Sequence, residues 1–318
     1  MAQLLMCPPD FYKIEYEINP WMHRDKSTDS IEAHRQWWSL HDALVKLGAT
    51  VELITPVSGL PDMVFTANAG LIWRDSFVTS RFRYPVRAPE SEHFEQWIAA
   101  HGFRIIHLPR GLTFEGAGDA LFCGSTLFGG TPFRSEGRSH RWLAAQLGFD
   151  VVPLTLADPR FYHLDTCFCP LAKGEAIYYP GAFDEASRLT LADRIERLIP
   201  VSEEEAVSFC CNAVVVDKVV ILNTSAPRVR KAIERLGYQV ELLRLDEFIK
   251  AGGCAKCLTL RLDGEEAATW KRTGVASSAE SKYQAPLESA LPWVGATSLP
   301  GIAASSCTPR RSPGECAG

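Results

Sequence analysis

The sequence predicts an α/β protein of five ββαβ repeats closed into a ring, a five-bladed αβ-propeller. Three observations predict it. A polar residue, an apolar strand, a tight turn and a second strand recur in that order at spacings of about 45 to 51 residues, within the range of propeller and solenoid units. Helix-period stretches lie between these hairpins. A further short apolar strand follows four of the five helices. A doubly wound sheet also alternates strands and helices, but it uses single crossovers where this chain has a hairpin in every unit.

Taken in order, an N-terminal strand is expected at Phe11-Tyr-Lys-Ile-Glu-Tyr16, completing the blade that the end of the repeat region begins. The helix Ser30–Leu47 has Asp29 or Ser30 for its N-cap and Gly48 for its stop, and Val51–Ile54 follows as a strand. The first hairpin opens at Asn68-Ala-Gly-Leu-Ile-Trp73 and turns at Arg74-Asp75. Its helix is Glu90–His101, and Arg104–Leu108 its third strand. The second opens at Asp119-Ala-Leu-Phe-Cys123, turns at Gly124-Ser125 and continues with helix Ser139–Leu147 and strand Asp150–Leu154. The third opens at Asp165-Thr-Cys-Phe-Cys169 and turns at Lys173-Gly174, with a helix over Asp184–Leu198 closed by Pro200. The fourth opens at Asn212-Ala-Val-Val-Val216, turns at Asp217-Lys218 and continues with helix Pro227–Leu236 and strand Val240–Leu243. The fifth begins at Lys256-Cys257-Leu-Thr-Leu-Arg-Leu262. In a ring, equivalent positions converge on the axis, here Asn68, Asp119, Asp165, Asn212 and Cys257.

Composition narrows the function. A chain of 318 residues with net charge −5 has no basic field for nucleic acid or an anionic membrane. The start, Met1-Ala-Gln-Leu-Leu-Met-Cys-Pro-Pro, reads as lacking a signal peptide, and no apolar run reaches the length of a membrane span. Ten cysteines scattered without a leader point to reduced thiols and a cytoplasmic protein. After Asp263 the chain turns rich in Ala, Ser, Gly, Pro and Thr, so residues 264–318 are expected to be disordered and 1–263 to form the body, with Trp270, Trp293 and Leu299 free to dock.

Several residues on or near the axis carry chemistry. His163 and Asp165 sit two apart in Phe161-Tyr-His-Leu-Asp-Thr-Cys167, an aromatic- and Thr-rich run expected to be a strand with both side chains on one face. Such a pair suits acid/base work on a cation, although a structural hydrogen-bonded pair has the same pattern. Cys257 follows Gly252-Gly253, and repeat phase brings it near His163, the arrangement of thiol nucleophiles; a buried structural thiol is the plainer reading. Glu115 precedes Gly116-Ala-Gly118, glycines that allow close approach of a ligand, and Asp62 follows Pro61; either is otherwise a turn carboxylate. Carboxylates converging on one place call for a metal or a planar cation. Arg87 and Arg134 are candidates to grip a carboxylate at the ligand's far end, or else ordinary surface charges.

With these residues in hand the chain resembles the guanidine-modifying enzymes of the pentein fold: arginine deiminase, dimethylargininase, the amidinotransferases and the arginine dihydrolases. The likeness covers about residues 1–263. It rests on Asn19-Pro-Trp-Met22, Pro61-Asp-Met-Val-Phe-Thr-Ala-Asn-Ala-Gly70, Phe114-Glu-Gly-Ala-Gly-Asp119, His163-Leu-Asp-Thr166 and the terminal Cys257. Asp165 after His163 is similar to the deiminase and dihydrolase pattern, and Thr66-Ala-Asn-Ala-Gly70 looks most like arginine dihydrolase, where dimethylargininases carry an acidic pair in place of Ala67-Asn68.

The resemblance implies Cys257, His163 and Glu115 as catalytic groups. Asp165, Asn68, Asp62, Arg87, Arg134 and Asn19 are the implied substrate contacts. It implies a small guanidino substrate, no cofactor and no metal, with a homo-oligomer left open. Cys257 is then expected to attack the guanidinium carbon and form a covalent thiouronium that water hydrolyses. Dimethylargininase and amidinotransferase activities stand as alternatives. A zinc site built from His163, Cys167, Cys169, Cys254 and Cys257 stands as a rival class, as does a non-catalytic binding module.

Overall fold

The computed structural model describes residues 1–223 and 225–268. Five three-stranded sheets follow one plan, in which the first two strands pair antiparallel and the third returns parallel to the second. The first sheet holds Gly70–Trp73, Ser76–Thr79 and Arg104–Ile106, and the second Ala120–Cys123, Thr126–Thr131 and Asp150–Thr155. Phe168–Ala172, Glu175–Tyr178 and Arg197–Pro200 make the third, and Val214–Val216, Val219–Asn223 and Gln239–Leu243 the fourth. The fifth joins both ends of this region, with Leu260–Arg261 beside Gln3–Met6 beside Thr50–Leu53. Each parallel return passes through a helix, as a parallel pair requires.

The ring closes through the turns that precede the first strands. Ala67 N–H donates to Cys257 O at 3.1 Å, Lys256 N–H to Asn212 O at 3.2 Å and Asn212 Nδ2 to Asp165 O at 3.1 Å. Leu164 N–H donates to Asp119 Oδ1 at 3.1 Å. Between the first two blades Gly116, at φ 62°, leaves no room for a side chain, since a Cβ would lie 2.6 Å from Gly70 O and 2.8 Å from Ala67 O. First strands such as Ala120–Cys123 and Val214–Val216 are buried along their whole length. Covered on both faces, they read as continuous apolar runs.

Most expected elements stand within a few residues of their predicted bounds, and three corrections follow. Phe11–Tyr16 is not a strand; the strand is Gln3–Met6, whose Leu4, Leu5 and Met6 are wholly buried and so gain more by joining the sheet. The third-blade helix stops at Arg194, and Leu198 and Pro200 lie in the returning strand that the repeat plan demands. The stretch through His163 and Asp165 is not a strand either. His163 is extended, Leu164–Thr166 form a 3₁₀ turn, and the strand starts at Phe168.

The described chain does not end at Asp263. Glu265–Ala268 form a 3₁₀ turn, and buried Glu265 pairs with Lys256 Nζ at 3.0 Å. The docking candidates Trp270, Trp293 and Leu299, with the rest of the expected tail, lie outside the described residues. No helix among the described residues is long and apolar enough to cross a membrane.

Candidate active site

The turns that close the ring carry Asn68, Asp165, Asn212 and Cys257. Cys257 is buried, its Sγ 3.4 Å from Asp165 Oδ2 and 3.1 Å from Asn212 Nδ2. His163 and Asp165 are two residues apart, so their Cα atoms lie within about 7 Å of each other. The thiol thus meets the Asp165 carboxylate directly, and His163 is two residues before it in the same turn.

On the other side of His163, Nε2 sits 2.8 Å from Glu115 Oε2. Glu115 also accepts from Arg134 Nη1 at 2.9 Å and, through Oε1, from Arg83 N–H at 3.0 Å. Burial alone raises this carboxyl, but the Arg134 charge and the His163 hydrogen bond outweigh it and hold Glu115 well below the ordinary range. An ionised carboxylate only accepts, so Nε2 carries the proton of this pair. Burial lowers His163 to about 4 against the pull of Glu115, so the ring is neutral at pH 7 and Nδ1 is left as a base. That Nδ1 is buried without a hydrogen-bond partner.

Asp165 has the opposite shift. Burial pushes it up to about 7, with Lys256, Cys257 and Asn212 pulling the other way. The thiol of Cys257 is raised well above its usual value by burial and by Asp165. The site thus holds a protonated sulfur beside a carboxyl on the edge of ionising.

Asn68 is turned by Arg87. The guanidinium donates Nη1 to Asn68 Oδ1 at 3.0 Å and both Nε and Nη2 to Glu90, and Nη2 also reaches Asp62 O at 3.1 Å. An arginine has no acceptor, so the Asn68 oxygen must face it and Nδ2 points away. Nδ2 is buried and unpartnered, as are Asp62 Oδ1 and Asp165 Oδ1. A Cβ on Gly118 would fall 2.4 Å from Asn68 Nδ2 and 3.3 Å from His163 Nδ1, so this glycine admits those two side chains. Buried polar atoms without partners are rare; here Asn68 Nδ2 and His163 Nδ1 meet at Gly118, and Asp165 Oδ1 belongs to the carboxyl that touches the thiol.

The two arginines are not surface charges. Arg87 is buried, and its recorded hydrogen bonds all go to protein acceptors, so it orients Asn68 where a substrate carboxylate was expected. Arg134 lies between the rings of Tyr84 and Tyr162 and donates to Glu115 and to Ile18 O. Asn19 accepts from Trp21 and Met22 N–H and donates to Ala251 O, which pins its loop to the segment before Cys257. Cys167 and Cys169 are buried in the third blade, with Sγ contacts to carbonyl oxygens. Among the described residues no group of three or more His, Cys, Asp or Glu side chains could hold a metal. A cavity lined by Phe122, Phe168, Cys169 and Val215 touches none of Cys257, His163, Glu115, Asp165 and Asn68.

Asn212 touches the thiol although no motif singled it out as a site residue. Asn212 occupied the same repeat phase as Asn68 and Asp165, which was the available signal. Tyr162 donates to Gly252 O at 2.7 Å, and its ring lies 4.7 Å from that of His163, tilted by 51°.

Fold and site together define an αβ-propeller with a buried thiol, an imidazole and converging carboxylates. The chain matches the model of the eukaryotic N,N-dimethylarginine dimethylhydrolase family over residues 15–263, and it belongs to that family. It is 47% identical over 268 residues to the bifunctional arginine dihydrolase/ornithine cyclodeaminase AgrE of Nostoc sp., which covers 82% of this chain and 38% of that protein. This chain thus spans less than two-fifths of that relative's length. It is 40% identical over 257 residues to the N(G),N(G)-dimethylarginine dimethylaminohydrolase of Mycobacterium tuberculosis, covering 81% of this chain and 84% of that one. Among solved structures it is similar to the N-terminal domain of ArgZ, a cyanobacterial arginine dihydrolase, as a cysteine-to-serine mutant bound to its substrate. The TM-score is 0.80 and the identity 45%, over 83% of this chain and 99% of that one.

Proposed function

We propose that this protein hydrolyses the guanidino group of arginine, or of a close arginine derivative, through a covalent thiouronium on Cys257. The observation that carries this reading is the contact of Cys257 Sγ with Asp165 Oδ2 at 3.4 Å, the other oxygen of that carboxyl being buried without a partner.

A guanidinium has a pKa of about 12.5 or more and arrives charged. Asp165 and Asp62 take its N–H groups and fix its plane, and its charge favours loss of the protons from Asp165 and from the thiol. His163 Nδ1 takes the thiol proton, and the imidazolium so formed is held by Glu115. Sulfur attacks the guanidinium carbon, the tetrahedral adduct collapses, and His163 returns the proton to the departing ammonia. Water then attacks the thiouronium carbon with His163 as base, the sulfur leaves, and citrulline is released.

Asn68 favours a second round. Its Nδ2 presents a donor, which suits the carbonyl oxygen of a neutral ureido group better than a cation. Hydrolysis of citrulline by the same steps gives ornithine, carbon dioxide and a second ammonia. The high identity to arginine dihydrolases supports this two-step reading. Dimethylarginine hydrolysis is the second reading, favoured by the family model and by the mycobacterial relative. All the groups used come from one chain.

The test is incubation with arginine, dimethylarginine and citrulline, with products identified by mass. The dihydrolase reading expects ornithine from arginine. Dimethylamine and citrulline from dimethylarginine, with arginine untouched, support the second reading, and no turnover of any of the three contradicts both.

A further inference from the structure

We infer that Asn212 is a positioning residue for the reactive sulfur: its side-chain amide fixes where Cys257 Sγ points and stabilises the thiolate by hydrogen bonding. The inference rests on the reading of Cys257 as nucleophile.

Asn212 is wholly buried and belongs to the fourth blade, yet it ties together the third and the fifth. Its Oδ1 accepts from the N–H groups of Cys254 at 3.0 Å and Cys257 at 3.1 Å. Its Nδ2 donates to Asp165 O at 3.1 Å and to Cys257 Sγ at 3.1 Å. Its main-chain oxygen accepts from Lys256 N–H at 3.2 Å. Every hydrogen-bonding site of the amide is therefore occupied, two donors and two lone pairs.

That pattern fixes the orientation of the group. An amide whose oxygen holds two N–H donors cannot turn over without leaving both unpaired in the interior. Nδ2 is thus held as the atom that meets sulfur. When the thiol ionises, a neutral contact becomes a charge-assisted one, about twice as strong. Asn212 and the backbone at Cys254 pull the thiol down where burial and Asp165 push it up. A donor is needed here, because the other polar neighbour of the sulfur is a carboxylate.

Two roles are mixed in this side chain and can be separated. Binding the two N–H groups needs only an oxygen, whereas serving the thiolate needs the donor. Asn212→Asp keeps the oxygen and loses the donor, and Asn212→Ser offers a shorter hydroxyl. Each is compared with the wild-type full chain by two readouts: the pH dependence of Cys257 alkylation by iodoacetamide, with Cys257→Ser as the blank, and kcat and KM for ammonia release from arginine.

The expected result is an apparent thiol pKa raised by about one unit or more in Asn212→Asp. With it, kcat falls about tenfold or more while KM moves less than about threefold. Alkylation curves in both variants that coincide with the wild-type curve overturn the inference, whatever happens to turnover. Failure of both variants to yield folded protein also overturns it, since the residue's contribution is then to the fold. If the wild-type chain releases no ammonia from any guanidino compound but the alkylation curve shifts as expected, the proposed function fails and the assignment of Asn212 holds.

Discussion

Cys257 Sγ stands 3.4 Å from Asp165 Oδ2, the sulfur proposed as nucleophile against the carboxyl proposed to hold a cation. Burial works against both ionisations, raising Asp165 to about 7 and the thiol well above its usual value. The two groups are therefore poised to ionise when a positive charge enters. This coupling of substrate charge to nucleophile ionisation governs the first prediction.

Turnover per free enzyme follows the ionisation of Asp165. With its carboxyl near 7, kcat/KM for a guanidino substrate should rise as pH increases from about 6 to about 8. Asp165→Asn should remove that limb and lower kcat/KM by about 10²-fold or more. Initial rates of ammonia release across this range check both.

The stability of the free protein depends on pH from two sides. Asp165 and Glu90 are both raised to about 7 by burial, so they favour the fold while protonated, and that contribution is lost as pH rises through about 7. His163 and His140 are lowered to about 4, so their contribution is present above about 6.5 and lost as pH falls through about 4. The two pairs oppose each other between about pH 4.5 and 6.5, so the melting temperature should change little there and fall between about pH 6.5 and 7.5, where only the loss from the acids remains. Arginine bound to the Cys257→Ser variant should raise the alkaline side most.

Replacing Asn68 by Asp exchanges a donor for an acceptor without changing shape. Arg87 holds Asn68 Oδ1 at 3.0 Å, so the atom facing the cluster changes from N–H to oxygen. Asn68→Asp should shift products from ornithine toward citrulline, by about tenfold in the ratio if one hydrogen bond to the ureido oxygen is lost. Unchanged ratios by mass spectrometry would remove the basis of the two-step reading.

Arg87 and Lys256 each neutralise a buried acid. Arg87→Met leaves Glu90, which is wholly buried, without its bidentate partner, and Glu265→Gln leaves buried Lys256 unpaired. Breaking such a pair from one side costs about 3–5 kcal/mol. Urea unfolding should show losses of that order for both variants, and a loss below about 0.5 kcal/mol for Glu265→Gln would mean that the turn after Asp263 is not part of the body.

The repeat phase was legible because each blade needs a polar residue where its first strand leaves the axis, and that need recurs at Asn68, Asp119, Asp165, Asn212 and Cys257. The 3₁₀ turn at Leu164–Thr166 was not legible. Its aromatic and Thr-rich composition favours a strand, and the turn is held by a contact from another blade, Leu164 N–H to Asp119. The N-terminal strand was misplaced because Phe11–Tyr16 has strand-forming residues, while the advantage of Leu4–Met6 lies in complete burial between the two halves of a closing blade. Burial of Arg87 and Arg134 could not be read from their type. Their partners lie up to 116 residues away, and only the closed ring brings them together.

The most direct test asks whether sulfur bonds to the guanidino carbon. The protein is mixed with arginine, quenched in acid during turnover, and its intact mass and peptides are measured. The account predicts an increase equal to arginine less ammonia, carried on the peptide containing Cys257 and absent from Cys257→Ser. Turnover by Cys257→Ser at the wild-type rate, with no adduct on the wild-type chain, would contradict it.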